Sequence, residues 1–337
     1  MKAAVYEGAD DIQVKEVPEP EIGPDDVLVR PKYVGICGTD LSAWEYGMYE
    51  GGLIMGHEFS GEVVDVGENV SIWKKGDRVV PNSLIPCGKC SFCSKSKHSL
   101  CEDMQMVGIS MDGGLAELAK LPEVVLHQLP DSLDYKTGVF VEPLSIAIRG
   151  FNRASFETGE TVLVLGTGPI GLLSIKLAQV KGASAIYATE VKPARLEMAQ
   201  RCGIEAAINA EKESVALRIE SLTEGVGVDL VAECTGAPGP TANAIQLVKR
   251  GGTILVLGIS EEPVEADFMT GVLNELNIQF SYLGYAEFPE AIELLENRKI
   301  DPTPFVTKIV PLERVVEEGF KALTHPESNE VKVLVEI

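Results

Sequence analysis

Basic side chains are scarce in this sequence: 29 Lys and Arg stand against 51 Asp and Glu over 337 residues, a formal charge of -22 with four histidines. Such a field repels phosphate backbones and anionic membrane surfaces, so nucleic acid is excluded as an expected partner. Long hydrophobic runs are missing as well. No stretch approaches the roughly 20 apolar residues that span a bilayer, and the opening MKAAVYEGADD has none of the about 7–15 apolar residues of a signal h-region. A soluble, cytoplasmic protein without a membrane partner is expected. Internal repeats and low-complexity tracts are absent too, and a content of 45% hydrophobic and 24% charged residues leaves room for two packed domains.

Cysteine is present but unevenly spread. The count of seven is odd, and Cys87, Cys90, Cys93 and Cys101 fall as C-x2-C-x2-C-x7-C inside one loop rich in Ser, Lys and Gly. That crowding reads as metal ligation in a reducing compartment rather than as disulfides. Four thiolates from one loop suit a closed tetrahedral zinc that would hold a segment without a core of its own. An iron–sulfur cluster fits less well, because the third and fourth cysteines stand too far apart and no proline follows the last. His98 lies inside the loop but is expected at the surface, since four cysteines already complete the shell.

From Met1 to about Pro130 the apolar runs are short, β-branched and alternating, as in DVLVRPKYVG and GEVVDVG, with Gly, Pro and Asp turn signals between them. Near residue 150 the character changes. ETVLVLG, AIYATE, AAIN, DLVAEC, GTILVLG and IQFSYLG are strand-like and mostly separated by helical stretches, the signature of βαβ units in a doubly wound parallel sheet. Pro193 opens the helix PARLEMAQRCG, Gly203 can end it, and Gly251-Gly252 is expected to end a helix around ANAIQLVKR. The fold class is therefore α/β: a β-rich domain over 1–148 and 286–337, with a metal lobe at about 84–104, around an inserted α/β domain over 149–285.

GTGPIG places Gly166, Gly168, Pro169, Ile170 and Gly171 between the strand ETVLVL and the helix IGLLSIKLAQV. The glycines allow a tight turn and close approach of a pyrophosphate to the helix N-terminus. AIYATE then ends in Glu190, nineteen positions beyond Gly171, where a carboxylate can accept the adenosine ribose hydroxyls and repel the extra phosphate of NADP. NAD is the expected cofactor, with Lys192 and Arg195 leaving NADP conceivable. The bland alternatives are a structural βα turn, a solvated strand end at Glu190, and a polar helix face at Arg195.

A separate set of metal-binding residue types is scattered: Cys37 in GICGTD, His57 and Glu58 in MGHEFSG, and Glu142 in VEPLS. Cysteine, imidazole and carboxylate from distant points suit a catalytic zinc with an open position. Singly, Cys37 also reads as a small buried hydrophobe, His57 as a core histidine and Glu142 as an acid at a helix N-terminus, and spacing alone does not decide.

Taken together, GICGTD, GHEFSGEVVDVG, GDRVV, the four-cysteine lobe, DGGLAEL, EPLSIA and GTGPIG resemble, in order and over essentially the whole chain, the zinc-containing medium-chain alcohol dehydrogenase family. The resemblance implies a GroES-like domain around an inserted Rossmann domain, two zinc ions per chain, and a homodimer or homotetramer. It implies that Cys37 and His57 bind the catalytic zinc, that Glu58 and Glu142 ligate it directly or through water, and that Asp40 orients the histidine. Thr39 would take the alcohol's proton while hydride passes to the nicotinamide. The Glu-Pro at 142 looks like the sorbitol, galactitol, butanediol and threonine branch, whereas simple alcohol dehydrogenases tend to have cysteine there. Ser42 replaces a histidine that many relatives use to hand the proton to water, which resembles galactitol-type enzymes; AWEYG resembles the sorbitol branch, and FVTKIVPL with EGFKAL resembles butanediol enzymes. The expected activity is NAD(H)-linked oxidation of a secondary hydroxyl of a small polyol, sugar alcohol or vicinal diol. L-threonine 3-dehydrogenase, a simple secondary alcohol dehydrogenase and a catalytically silent NAD-binding protein are the alternatives. Trp44 and Tyr46 either line the substrate cleft or pack in the core; Cys202 and Cys234 are assigned to the Rossmann core, and His127 and His325 to the surface.

Overall fold

The alternating valines of DVLVRPKYVG form the strand Asp26–Gly35. A shift of register between Pro31 and Tyr33 changes the phase, so that Val34 is buried along with Val27 and Val29. Their side chains join Phe59, Val63, Val79, Leu121, Val333 and Val335 in one core. In this computed structural model, which describes Met1–Ile337, that strand pairs antiparallel with Glu58–Val66, Ala119–Pro122 and the C-terminal strand Lys332–Glu336. Arg78–Pro81 and Leu126–Gln128 continue the sheet on one side and Val306–Pro311 on the other. The register carries chemistry, because Gly35 stands opposite Glu58 on one neighbour and Leu334 on the other.

The second fold unit is a parallel sheet of six strands: Thr161–Leu165, Ala185–Glu190, Ala206–Asn209, Val228–Glu233, Val248–Val256 and Asn277–Phe280. Their spatial order is third, second, first, fourth, fifth, sixth, the doubly wound Rossmann arrangement. Val162, Leu163, Val164 and Leu165 are all buried, as a strand covered on both faces must be.

Two details depart from the sequence reading. The chain divides into Met1–Glu142 with Phe288–Ile337, and Pro143–Glu287, so the first boundary falls before 148, within the helix Val141–Arg153. A division inside a continuous helix carries no turn signal. Gly251-Gly252 does not end a helix either: helical structure stops at Gln246, and both glycines lie in the strand Val248–Val256, where Gly251 takes φ 72° and the ladder shifts register. They form an irregularity in a strand, which periodicity does not distinguish from a helix end. No helix is long and apolar enough to cross a membrane.

Candidate active site

Where the strand Asp26–Gly35 runs out, the chain turns into the helix Gly38–Tyr46, with Cys37 in extended backbone at its N-terminal cap. Asp40 fixes this turn: its Oδ2 accepts the Cys37 N–H at 3.0 Å. The other carboxylate oxygen lies 3.5 Å from His57 Nδ1, and Asp40 is fully buried. A carboxylate against one ring nitrogen leaves the other for a metal. Cys37, His57 and Glu58 each offer a ligand atom within 4.8 Å of the others, so the structure gathers three of the scattered candidates into one cluster. Their mixed sulfur, nitrogen and oxygen donors, with His57 and Glu58 buried, fit zinc.

Electrostatics agree with a site built to hold a cation. Burial, followed by the Glu58 charge, pushes the Cys37 thiol up. Burial alone would lower the His57 pKa, but Asp40 and the Cys37 thiol outweigh it and leave the imidazole well above its ordinary value. Glu142 stands outside the compact cluster but is buried, and its Oε1 accepts the Ser83 hydroxyl at 2.9 Å. Burial pushes its carboxyl up to about 7, with His57 opposing and Glu58 reinforcing the shift. Thr39 Oγ1 lies 3.8 Å from Cys37 Sγ.

Two partners escaped the sequence reading. Ser83 has no signature of its own. Lys332 does: it is a lysine at the head of VKVLVEI, a strand whose next three residues are fully buried, and it is itself buried. Its ammonium donates to the Ile36 carbonyl at 3.1 Å and to the Glu58 carboxylate. Trp44 belongs to the core, edge-on to Phe320 with ring centroids 5.9 Å apart, while Tyr46 is exposed. His127, expected at the surface, is half-buried because it stacks on Phe288 at 4.9 Å, and His98 is half-buried in its loop. His325 is exposed, Cys202 is buried, and Cys234 is half-buried beside the Ser174 hydroxyl at 3.8 Å.

The four-cysteine loop converges as spacing suggested: the sulfurs of Cys87, Cys90, Cys93 and Cys101 lie within 4.8 Å of one another. Backbone donors face them, with the Cys87 N–H 3.2 Å from Cys101 Sγ and the Cys93 N–H 3.5 Å from Cys90 Sγ. Apart from the cysteines, the loop's regular structure is two single 3-10 turns and a neck of Leu84–Ile85 paired with Gln105–Met106. A metal supplies the cohesion that apolar side chains do not.

At the dinucleotide loop, a Cβ on Gly171 would lie 1.9 Å from the Gly166 carbonyl oxygen, so only glycine permits this crossing of strand end and helix. Gly168, at the cap of the helix Pro169–Val180, opens onto empty space that leaves the helix N-terminus approachable. Glu190 is buried and tied into the turn: one oxygen accepts the Thr167 N–H at 3.0 Å and hydroxyl at 3.1 Å, and the other accepts the N–H groups of Val191 at 2.8 Å and Lys192 at 3.1 Å. Thr167, buried inside the glycine motif, is a further residue that sequence reasoning missed. Arg195 is half-buried, and desolvation lowers its pKa against the pull of Glu190.

Residues 23–131 match the family model described as alcohol dehydrogenase GroES-like domain, and residues 169–297 match that described as zinc-binding dehydrogenase. The chain is 33% identical to sorbitol dehydrogenase of Bacillus subtilis, over 96% of this chain and 94% of the relative. It is 34% identical to (R,R)-butanediol dehydrogenase of the same organism, over 99% of each chain. Among solved structures, a zinc-binding dehydrogenase of Sinorhizobium meliloti 1021 bound to NADP superposes with a TM-score of 0.93 at 30% identity, over 100% of this chain and 99% of the other.

Proposed function

We propose that this chain, which belongs to the zinc-dependent medium-chain alcohol dehydrogenase family, moves a hydride between NAD(H) and a secondary hydroxyl carbon of a small polyol, sugar alcohol or vicinal diol. The observation that carries the reading is the Cys37–His57–Glu58 cluster, its histidine and glutamate buried, with a second buried carboxyl, Glu142, beside it. A carboxylate-rich site is matched to a polar substrate with more than one hydroxyl, and the sorbitol and butanediol relatives agree with that class.

Cys37 and His57, with the Glu58 and Glu142 carboxylates directly or through water, would hold a zinc ion, which would supply the Lewis acidity that lowers the pKa of an alcohol hydroxyl. The remaining work falls to the chain's own groups. Asp40 holds the His57 ring in one orientation. Thr39 takes the alcohol's proton, and Ser42, three residues on in the same helix, shares its face and can pass the proton on to water where many relatives have histidine. Gly166 to Gly171 receive the pyrophosphate, and Glu190 receives the adenosine ribose. Because Glu190 is a fixed anion, NAD is preferred; Lys192 and Arg195 beside it leave weaker use of NADP.

We also read the chain as a homo-oligomer of a reducing, cytoplasmic setting. The gathering of Cys87, Cys90, Cys93 and Cys101 into a metal-binding cluster supports the setting, and an exposed apolar surface around Phe268, Val272 and Phe280 supports the association.

The test is a rate survey of the zinc-loaded protein with NAD across sorbitol, galactitol, inositol, 2,3-butanediol, threonine and 2-propanol. A polyol or diol should exceed 2-propanol by about tenfold in kcat/KM, or roughly 1.4 kcal/mol of transition-state stabilisation. Cys37→Ser should abolish turnover and halve the zinc content while the lobe keeps its metal. Threonine as the best substrate, or no turnover with NAD or NADP, overturns the reading.

A further inference from the structure

The last strand delivers one charged side chain into the interior beside Cys37 and His57. Lys332 is 1% exposed and Glu58, its ion-pair partner, 2%. Removing an ammonium from water costs several kcal/mol unless it is paired and hydrogen-bonded, and the Ile36 carbonyl with Glu58 meets both conditions. The backbone reserves room for the pair. A Cβ at Gly35 would lie 2.7 Å from both Glu58 Oε2 and Lys332 Cε, so a larger residue at this point of the strand pairing would displace the ion pair.

Glu58 therefore has two claimants. On one side is the Lys332 ammonium, 274 residues away in sequence; on the other is the metal that Cys37 and His57 would hold, whose ligand atoms lie within 4.8 Å of its own. With Cys37, His57 and the neighbouring Glu142 carboxylate as ligands, a Glu58 carboxylate left to itself would close on the metal as well and fill the fourth position, the one a substrate oxygen needs. An ammonium committed to one of its oxygens offsets its charge and restrains its reach. We propose that Lys332 is a positioning residue that keeps Glu58 a displaceable ligand, and thereby keeps a position at the metal exchangeable. The inference rests on the zinc site and not on the substrate class, so each can fail without the other.

The test uses the full chain with cobalt(II) at the Cys37–His57 site and zinc kept in the four-cysteine lobe, titrated with imidazole and followed by the visible cobalt bands. Imidazole should shift the bands of the wild type. Lys332→Met, of similar volume without charge, should bind imidazole at least about tenfold more weakly, the lower end of what outer partners of metal ligands contribute, while Lys332→Arg stays within about threefold. Adding Glu58→Gln to Lys332→Met should restore imidazole binding to the level of Glu58→Gln alone. Lys332→Gln serves the same comparison if the methionine variant does not fold. Wild-type imidazole affinity and spectrum in the variant lacking the ammonium, or failure of Glu58→Gln to restore binding, overturns the proposal; a merely structural lysine would lower stability and leave the cobalt bands unmoved.

Discussion

Glu190 illustrates how much one residue can be asked to do. Its carboxylate binds the glycine loop through Thr167 and its own strand end through Val191 and Lys192, so the acid that would select the cofactor also shapes the turn that would hold it. Glu190→Ala should therefore have two separable effects. The Kd ratio of NADP to NAD, from fluorescence titration, should fall by about tenfold as the repelling charge is lost. Stability to urea should fall by about 1–3 kcal/mol, because the buried Thr167 N–H loses its acceptor. Unchanged cofactor preference with lowered stability would leave Glu190 a loop tie only. The four lobe cysteines were legible from spacing because metal chemistry restricts residue types so strongly, whereas Cys37, His57 and Glu58 were legible only through the resemblance of the surrounding motifs to a known family, each having a bland reading of its own. Thr167, Ser83 and Lys332 were not, because ordinary residues acquire those roles only through the neighbours that folding gives them.

Among elements, the parallel sheet was the most legible feature, since each βαβ unit announces itself within a few dozen residues of chain. What periodicity could not supply was the register that ties strands together, and Asp229 shows what the register does. It accepts the Thr161 N–H at 2.8 Å and the Thr161 hydroxyl at 2.6 Å, and it pairs with Lys249, which links the starts of three neighbouring strands. Burial pushes the Asp229 carboxyl up, but Lys249 and Thr161 together pull harder and hold it below its usual value. A folded pKa below the unfolded one means stabilisation that is complete above the unfolded value near 3.9 and is lost as pH falls through the folded value. Asp229→Asn should cost about 1–3 kcal/mol at neutral pH by urea denaturation, and its deficit against the wild type should shrink below about pH 4. A deficit independent of pH would assign the loss to packing. The misplaced helix end at Gly251-Gly252 has the same origin: a glycine pair reads alike as a helix stop and as a strand irregularity until the neighbouring strand fixes which it is.

At the scale of the whole molecule, two surface properties oppose each other. The formal charge of -22 drives copies apart. Against it stands an apolar surface formed by Phe268, Met269, Val272 and Leu273, each at least 70% exposed, together with the open edge strand Asn277–Phe280 and its 66% exposed Phe280. A cavity of about 360 Å³ lined by Ile254, Val256, Phe268, Ile278 and Phe280 adjoins them. An uncovered edge with unpaired backbone groups invites another strand, and a second copy of the same edge closes the pairing about a two-fold axis without further growth. The sequence did not single out this surface, because DFMTGVLNEL reads as any amphipathic helix whose apolar side faces its own core, and partner-facing apolar residues look the same. On the proposed association, the wild type should run as an oligomer by light scattering, and Val272→Asp combined with Phe280→Asp should run as a monomer while the secondary structure and both zinc ions are retained. The opposing charge gives the prediction a second arm. Raising the salt concentration shortens the screening length and weakens the repulsion between acidic copies, so the dissociation constant of the wild type should fall with added salt. A wild type that is monomeric at every salt concentration, or a doubly substituted protein that associates as before, would remove this surface as the contact.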